Sequence, residues 1–322
     1  MKRISILSAG LALAVTAALA GCTTTDSERS PNAGGELTEV RVGIIPFAEL
    51  AAFYIAIDEG IFEDEGLSVE PTQASGGATI VSSLAAGDIQ FAYSNYISVF
   101  EAANAGLPIE IIRENDRPGA QAVYVLADSG IQSPQDLAGK SIAINSLGNI
   151  MEITSRSALR DAGVDLTTIE FVELPPPNMN AALESGQVDG AWLVEPFITL
   201  AQQTLEVEIG ADVFTGATEN IPVAGWVTTP QYSSENPEAV EAFIRAMDRA
   251  SEIAIDDPAK IAAIIPTYTE IPAEIAEQMS PISFVPTSDF SGLSTIQDLM
   301  IDFGYYDEPL DLDALISPLA NG

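Results

Sequence analysis

The sequence predicts an α/β protein of two similar lobes, each a mainly parallel sheet flanked by helices. Three observations lead there. From Val40 onward, short apolar runs alternate with amphipathic stretches, the pattern that lays down parallel sheets covered on both faces. The stretch "LAAGDIQFAYSN", from Leu84, returns in altered form as "LESGQVDGAWLVEP", from Leu183, 99 residues later. A turn-rich phrase, "DSGIQSPQDLAGK" at 128–140, separates two runs of strand–helix units.

The first run begins with "VRVGII" (40–45), a buried strand, followed by "AELAAFYIAIDEGIF" with apolar residues at helical spacing. "LSVEPT" is a second strand and "GATIVSSLAAG" a second helix, with Gly87 as its stop. "IQFAYS", "YISVFEAANAG" and "IEIIREN" read as strand, helix and strand, and "QAVYVLA" precedes the boundary. The second run reads "SIAIN" as strand, 150–162 as helix, "TIEFVEL" as strand, "PPNMNAALESG" as helix and "DGAWL" as strand. A helix at 196–204 has its Pro in the first turn. From about Trp226 the signal turns helical, at 236–255, 258–266 and 291–303. This gives one lobe at 38–128 plus 228–322 and a second at 129–227.

The repeat has a structural meaning. In each lobe it spells helix end, Gly, strand, then a new helix. Gly87 matches Gly186, Ala92 matches Ala191, and Tyr93 matches Trp192.

Lys2 and Arg3 precede an apolar run that is shorter than the roughly 20 residues a membrane span needs, so residues 1–21 read as a secretion signal. It ends in "LAGC", which resembles the lipobox of bacterial lipoproteins and implies that Cys22, the single cysteine, carries a lipid anchor. The polar stretch to Leu37 reads as a tether, with a reach of about 20 Å as a flexible coil. The expected location is extracytoplasmic, lipid-anchored at the membrane.

The formal charge is −35, from 47 acidic and 12 basic residues, a field that excludes a nucleic-acid partner. There is no histidine, which removes Ser-His-Asp and Cys-His nucleophilic sites and the ordinary zinc and copper ligand sets. No metal and no cofactor is expected.

In open parallel sheets, ligands bind beyond the carboxyl ends of strands, where helices start and present unpaired N–H groups. Four such starts follow strands, at 74–79, 94–98, 145–152 and 193–197. Trp192 and Tyr93 end strands and can stack on a planar ligand. Glu195, paired with Glu49, can receive an ammonium or amino group, although as a residue preceding a helix it can equally cap it.

"VGIIPFAELAAFYIAIDEGIFEDEGLSVE", "ASGGATIVSSLAAGDIQFAYSN", "SPQDLAGKSIAINSLGN" and "ALESGQVDGAWLVEPF" together resemble the solute-binding proteins of ATP-binding-cassette (ABC) importers, in the group for nitrate, sulfonates, taurine and thiamine-pyrimidine precursors. The resemblance implies the periplasmic-binding-protein type II fold, its lobes joined by two crossover strands near 127–130 and 226–229 and closing over a small-molecule ligand in the cleft, and as partner an ABC permease with a cytoplasmic ATPase. Carried onto this chain, the ligand-binding residues are Phe47 and Glu49, with Pro46 in the same loop, then Ser75, Gly76, Gly77, Ala78 and Thr79. They continue with Asn95, Tyr96, Asn145, Ser146, Leu147, Gly148, Asn149, Trp192 and Glu195. A monomer is expected.

Nitrate and bicarbonate binders of this group are expected to supply basic or histidine side chains, and here the cleft loops offer only Arg113 and Arg117. Glu49 and Glu195 point instead to an amino or ring N–H group, on a taurine-like zwitterion or an aminopyrimidine. Glu195→Gln is then expected to weaken binding more than tenfold. The other readings are an enzyme on the same fold, which would have to work without histidine, and a sensor or adhesin lipoprotein.

Overall fold

The computed structural model describes residues 36–74 and 76–321. The signal, Cys22, most of the tether and Ser75 lie outside the described residues. Among those described, no helix is long and apolar enough to cross a membrane.

Among the described residues, ten strands build two five-stranded sheets. They are β1 (Thr38–Ile44), β2 (Leu67–Gln73), β3 (Phe91–Asn95), β4 (Glu110–Asp116), β5 (Ala122–Leu126), β6 (Ser141–Ile144), β7 (Glu170–Glu173), β8 (Gly190–Leu193), β9 (Val207–Asp212) and β10 (Ala224–Thr228). The first sheet has the order β2-β1-β3-β10-β4 and the second β7-β6-β8-β5-β9. The two-lobed α/β expectation holds, and the repeat takes its predicted place. β3 and β8 are the third strand of their sheets. Each follows a helix, Gly77–Ala85 or Pro176–Glu184, that ends before a glycine in left-handed conformation, Gly87 (φ 78°) or Gly186 (φ 70°).

Each sheet has one reversed strand, in the fourth position. β10 runs antiparallel to β3 and β4, and β5 antiparallel to β8 and β9. Both are the first strand after the chain changes lobe. The other strands end at the cleft, so a chain crossing the cleft enters the next sheet from that edge and runs away from it. This corrects the expected boundaries. β5 belongs to the second sheet and β10 to the first, so the crossings lie at 117–121 and 213–223 rather than at 127–130 and 226–229. The lobes are thus 38–116 with 224–321, and 122–212. "AVYVL" is buried almost throughout and carries no period-two pattern to say which sheet receives it. For the same reason β10, fully buried, gave no strand signal of its own.

The C-terminal helices Pro237–Asp256, Pro258–Tyr268 and Leu293–Asp302 form where the sequence places them. They return to the first lobe. Phe243 stacks on Phe91 at 4.2 Å between ring centroids, and Asp248 takes the Nε–H of Arg113 from β4 at 2.7 Å.

Candidate functional site

The carboxyl ends of β3, β4 and β8, the loops after β1 and β6, and both crossings line one cavity in the cleft. It holds about 430 Å³ of empty space, in part open to solvent, and about 40 Å³ admits the centre of a water molecule. Its apolar walls are Ile45, Phe47, Ile150, Met151, Trp192 and Val194, with Val223 and Ala224 from the second crossing. Its polar groups are Glu49, Tyr93, Asn95, Asp116, Gln121, Asn145 and Asn149. A larger, more open groove with about 1120 Å³ of empty space lies on the first lobe between 258 and 282, but it is mostly apolar, and the Ser280 N–H on its wall is already bound to Glu195. The cavity in the cleft is the better site.

Two buried carboxylates dominate its chemistry. Glu49 sits in the 3-10 turn Ala48–Leu50 that follows β1, and Asp116 closes β4. Glu49 Oε1 accepts from Gln121 Nε2 at 3.0 Å, and Asp116 Oδ1 accepts from Tyr93 Oη at 2.9 Å and Asn115 Nδ2 at 3.1 Å. The other oxygens, Glu49 Oε2 and Asp116 Oδ2, are buried without a partner. Burial, and for Glu49 the charge of Asp116, raises Glu49 to about 8, while burial raises Asp116 to about 7.

Asn95 and Asn149 are helix caps that also line the cavity. Asn95 Oδ1 accepts from the Ser98 N–H at 3.0 Å, and Asn149 Oδ1 from the N–H groups of Met151 and Glu152 at 3.0 and 3.3 Å. Asn149 Nδ2 donates to Asn145 Oδ1. The starts of the helices Tyr96–Asn104 and Ile150–Asp161 therefore face the cavity. Trp192 is pinned by its Nε1–H on Thr154 Oγ1 at 3.2 Å and presents a ring edge-on to Phe214.

Of the residues expected from sequence, Phe47, Glu49, Asn95, Asn145, Asn149 and Trp192 line the cavity. Gly76 and Ser146 meet across the lobes: a Cβ on Gly76 would stand 3.5 Å from Ser146 Oγ. Leu147 and Thr79 are exposed, Gly148 gives its N–H to Glu152 at 2.8 Å beneath the carboxylate of Glu101, and Tyr96 is buried against Gly225. Gly77 and Ala78 open the helix Gly77–Ala85, and Ser75 lies outside the described residues. Arg113 and Arg117, the expected cations, are turned away. Arg113 serves Asp248, Ser251 and the carbonyls of Glu114 and Val285, and Arg117 serves Glu114 and Asp289.

Glu195 is a correction. Its carboxylate accepts from the Thr199 N–H at 3.1 Å, the Thr199 hydroxyl at 3.0 Å and the Ser280 N–H at 2.9 Å, and it does not line the cavity. It caps the helix Phe197–Thr204 and ties the second lobe to the C-terminal segment of the first, so both oxygens are in use. Asp116 and Gln121 were missed. Asp116 ends a strand at the cleft and could have been found by the same rule that found Asn95, but the stretch "IREND" offers four polar residues, Asp116 among them, and no cap signal to choose between them.

The contact at Gly76 gives a direct prediction. Its φ of −172° is open to any residue, so a larger side chain leaves folding intact and collides only with the other lobe. Gly76→Leu is expected to leave the unliganded melting temperature unchanged and to weaken ligand binding about tenfold or more through a propped cleft. Calorimetric titration of both forms checks it.

Two α/β lobes joined by two crossings, closing on one polar cavity, define a two-lobed binding protein of the periplasmic type. The NMT1/THI5 like family profile matches residues 48–261, and the chain belongs to that family. It is 27% identical over 237 residues to the taurine-binding periplasmic protein of Escherichia coli (strain K12), covering 73% of this chain and 70% of that one. It is 24% identical over 261 residues to the formylaminopyrimidine-binding protein of Halalkalibacterium halodurans, covering 80% and 77%. In fold it is similar to the alkanesulfonate-binding protein SsuA from Xanthomonas axonopodis pv. citri bound to MOPS, with a TM-score of 0.74 at 16% identity over 88% of this chain and 99% of that one.

Proposed function

We propose that this chain is the extracytoplasmic solute-binding component of an ABC importer, capturing a small polar organic molecule between its lobes and delivering it to a permease driven by a cytoplasmic ATPase. One observation supports the reading: strand ends and helix starts of both lobes converge on a cavity in the cleft whose polar groups include unpartnered oxygens. A ligand there is enclosed by both lobes, so its binding and the lobes' approach are one event. The solute bears an amino or ring N–H group, as a taurine-like zwitterion or an aminopyrimidine does, because the free oxygens are acceptors and no Lys or Arg lines the cavity. The names of the relatives span both chemistries. Lipidation of Cys22 holds a monomer at the membrane surface through the tether, with no cofactor in its action.

A thermal-melt panel tests this on the chain from Thr23 onward, with taurine, alkyl sulfonates, nitrate, bicarbonate, aminopyrimidines, riboflavin and a polyamine. A ligand at a hundred times its dissociation constant adds about 2.7 kcal/mol, a rise of several degrees. An amino-bearing hit is the expected result. No shift from any compound, in protein shown by mass spectrometry to carry no co-purified ligand, would overturn it.

A further inference from the structure

Glu49 and Asp116 are more than two acceptors in one wall. Asn115 ties them together, its Nδ2 donating to the Glu49 carbonyl at 2.9 Å and to Asp116 Oδ1 at 3.1 Å. Each carboxylate has one oxygen held by a protein donor and one, buried, held by none. The groups packed around them add no positive charge. Tyr93 comes from β3, Tyr268 from the helix Pro258–Tyr268, Gln121 from the first crossing, Glu114 from β4 and Glu195 from before the helix Phe197–Thr204. Arg113 and Arg117, the cations nearest in sequence, are spent on Asp248, Glu114 and Asp289. Two buried like charges without a counter-charge cannot both stay ionised, so one must keep a proton or both must face a cation.

We propose that the Glu49–Asp116 pair is an exchange site, holding a proton until a small organic cation with two or more N–H donors displaces it. This rests on the solute-binding reading and narrows its substrate class to a primary ammonium, an amidinium or a protonated aminopyrimidine. In the exchange the cation's N–H groups bond to Glu49 Oε2 and Asp116 Oδ2, and the carboxyl O–H breaks and its proton passes to solvent. No other bond changes. An anion without an ammonium group gains nothing from the pair. A zwitterion such as taurine binds through its ammonium end, with its sulfonate left to the helix starts at Asn95 and Asn149.

The raised acidities fit the geometry. Glu49 goes from an ordinary 4.5 to about 8 and Asp116 from 3.8 to about 7. The native state therefore keeps protons that the unfolded chain releases. The pair's contribution to stability is greatest below pH 4, falls as pH rises through the window from 4 to 8, and is flat above it. Cation binding, which needs the pair ionised, strengthens over the upper part of the same window.

The test compares wild type with the Glu49→Gln/Asp116→Asn double variant, whose folding is checked by circular dichroism. Melting temperatures without ligand, from pH 5 to 9, are expected to fall with pH more steeply in wild type than in the variant. Infrared difference spectra between pH 6 and 9 should lose a larger protonated-carboxyl band in wild type than in the variant, where Glu101, raised to about 7 by burial, still contributes. Equal slopes and equal spectra would overturn the proposal. Wild type is then titrated calorimetrically with acetamidinium, ethylammonium, taurine and ethanesulfonate in buffers of different ionisation enthalpy. Release of about one proton with the cations, and affinity rising about tenfold or more from pH 6 to 8, are expected. Binding of ethanesulfonate more tightly than acetamidinium, or cation binding without proton release, would overturn the exchange and leave the solute-binding reading standing. That reading has its own failure, the absence of any hit in the melt panel.

Discussion

Asp116→Asn is expected to weaken an amino-bearing ligand about thirtyfold to a thousandfold, equivalent to roughly 2–4 kcal/mol for removing one member of a buried charge pair. The substitution changes little else. The amide oxygen can still accept from Tyr93 and Asn115, whose present bonds to Oδ1 are 2.9 and 3.1 Å. What it puts in place of Oδ2 is a donor, so a ligand N–H meets an N–H. The unliganded variant should also be slightly more stable than wild type at pH 8, because a desolvated charge is gone. Calorimetric titration of the two proteins with the same panel hit checks the affinity. Unchanged affinity would remove Asp116 from the site.

Trp226→Ala is expected to destabilise the protein by about 3–5 kcal/mol, the usual range for emptying a buried tryptophan site. For a chain of this size that is a fall in melting temperature on the order of 10 °C. Trp226 lies on β10, fully buried, with its ring centroid 5.2 Å from Phe53, 5.1 Å from Phe243 and 5.6 Å from Tyr93. Its Nε1–H donates to Asn115 Oδ1 at 3.0 Å, and Asn115 in turn holds the Glu49 carbonyl and Asp116. The core of the first lobe and the acidic wall of the cavity thus share one residue. Trp226→Phe separates the two roles. It retains most of the packing and lacks the hydrogen bond, so it should recover much of the melting temperature and little of the lost affinity.

The fold was legible in the sequence wherever a strand ran into a glycine-stopped helix. The helix–Gly–strand repeat around Gly87 and Gly186 pointed to two similar lobes, and β3 and β8 hold the same central position in their two sheets. The crossings were not legible, because β5 and β10 are short and buried on both faces and strand composition does not record which sheet receives a strand. The site was half legible. Strand-end and helix-cap logic found Asn95, Asn145, Asn149 and Trp192, since those positions are fixed by local geometry. It could not tell which acidic residues face the ligand. Glu195 and Glu49 look alike in sequence, yet one carboxylate is used up on Thr199 and Ser280 while the other keeps a bare oxygen. For Glu195 both oxygens are taken up by Thr199, four residues on, a local contact the sequence could have offered, and only the Ser280 bond reaches 85 positions. The burial of Glu49 Oε2 depends on tertiary packing that no local pattern records.

The absence of histidine takes on a particular meaning beside this site. A protein that exchanges a proton for a cation near neutral pH would ordinarily use imidazole. Here burial, and for Glu49 the charge of Asp116, move two carboxyl groups into that range instead, and the site remains negative when the proton leaves.

Mass spectrometry of the small molecule released on denaturing the protein, purified without dialysis from cells grown in rich medium, tests the account most directly when wild type and the Glu49→Gln/Asp116→Asn variant are run side by side. The account predicts a small compound with a basic nitrogen, near one per chain in wild type and depleted in the variant. A nitrogen-free anion, or the same compound retained equally by both proteins, would contradict it.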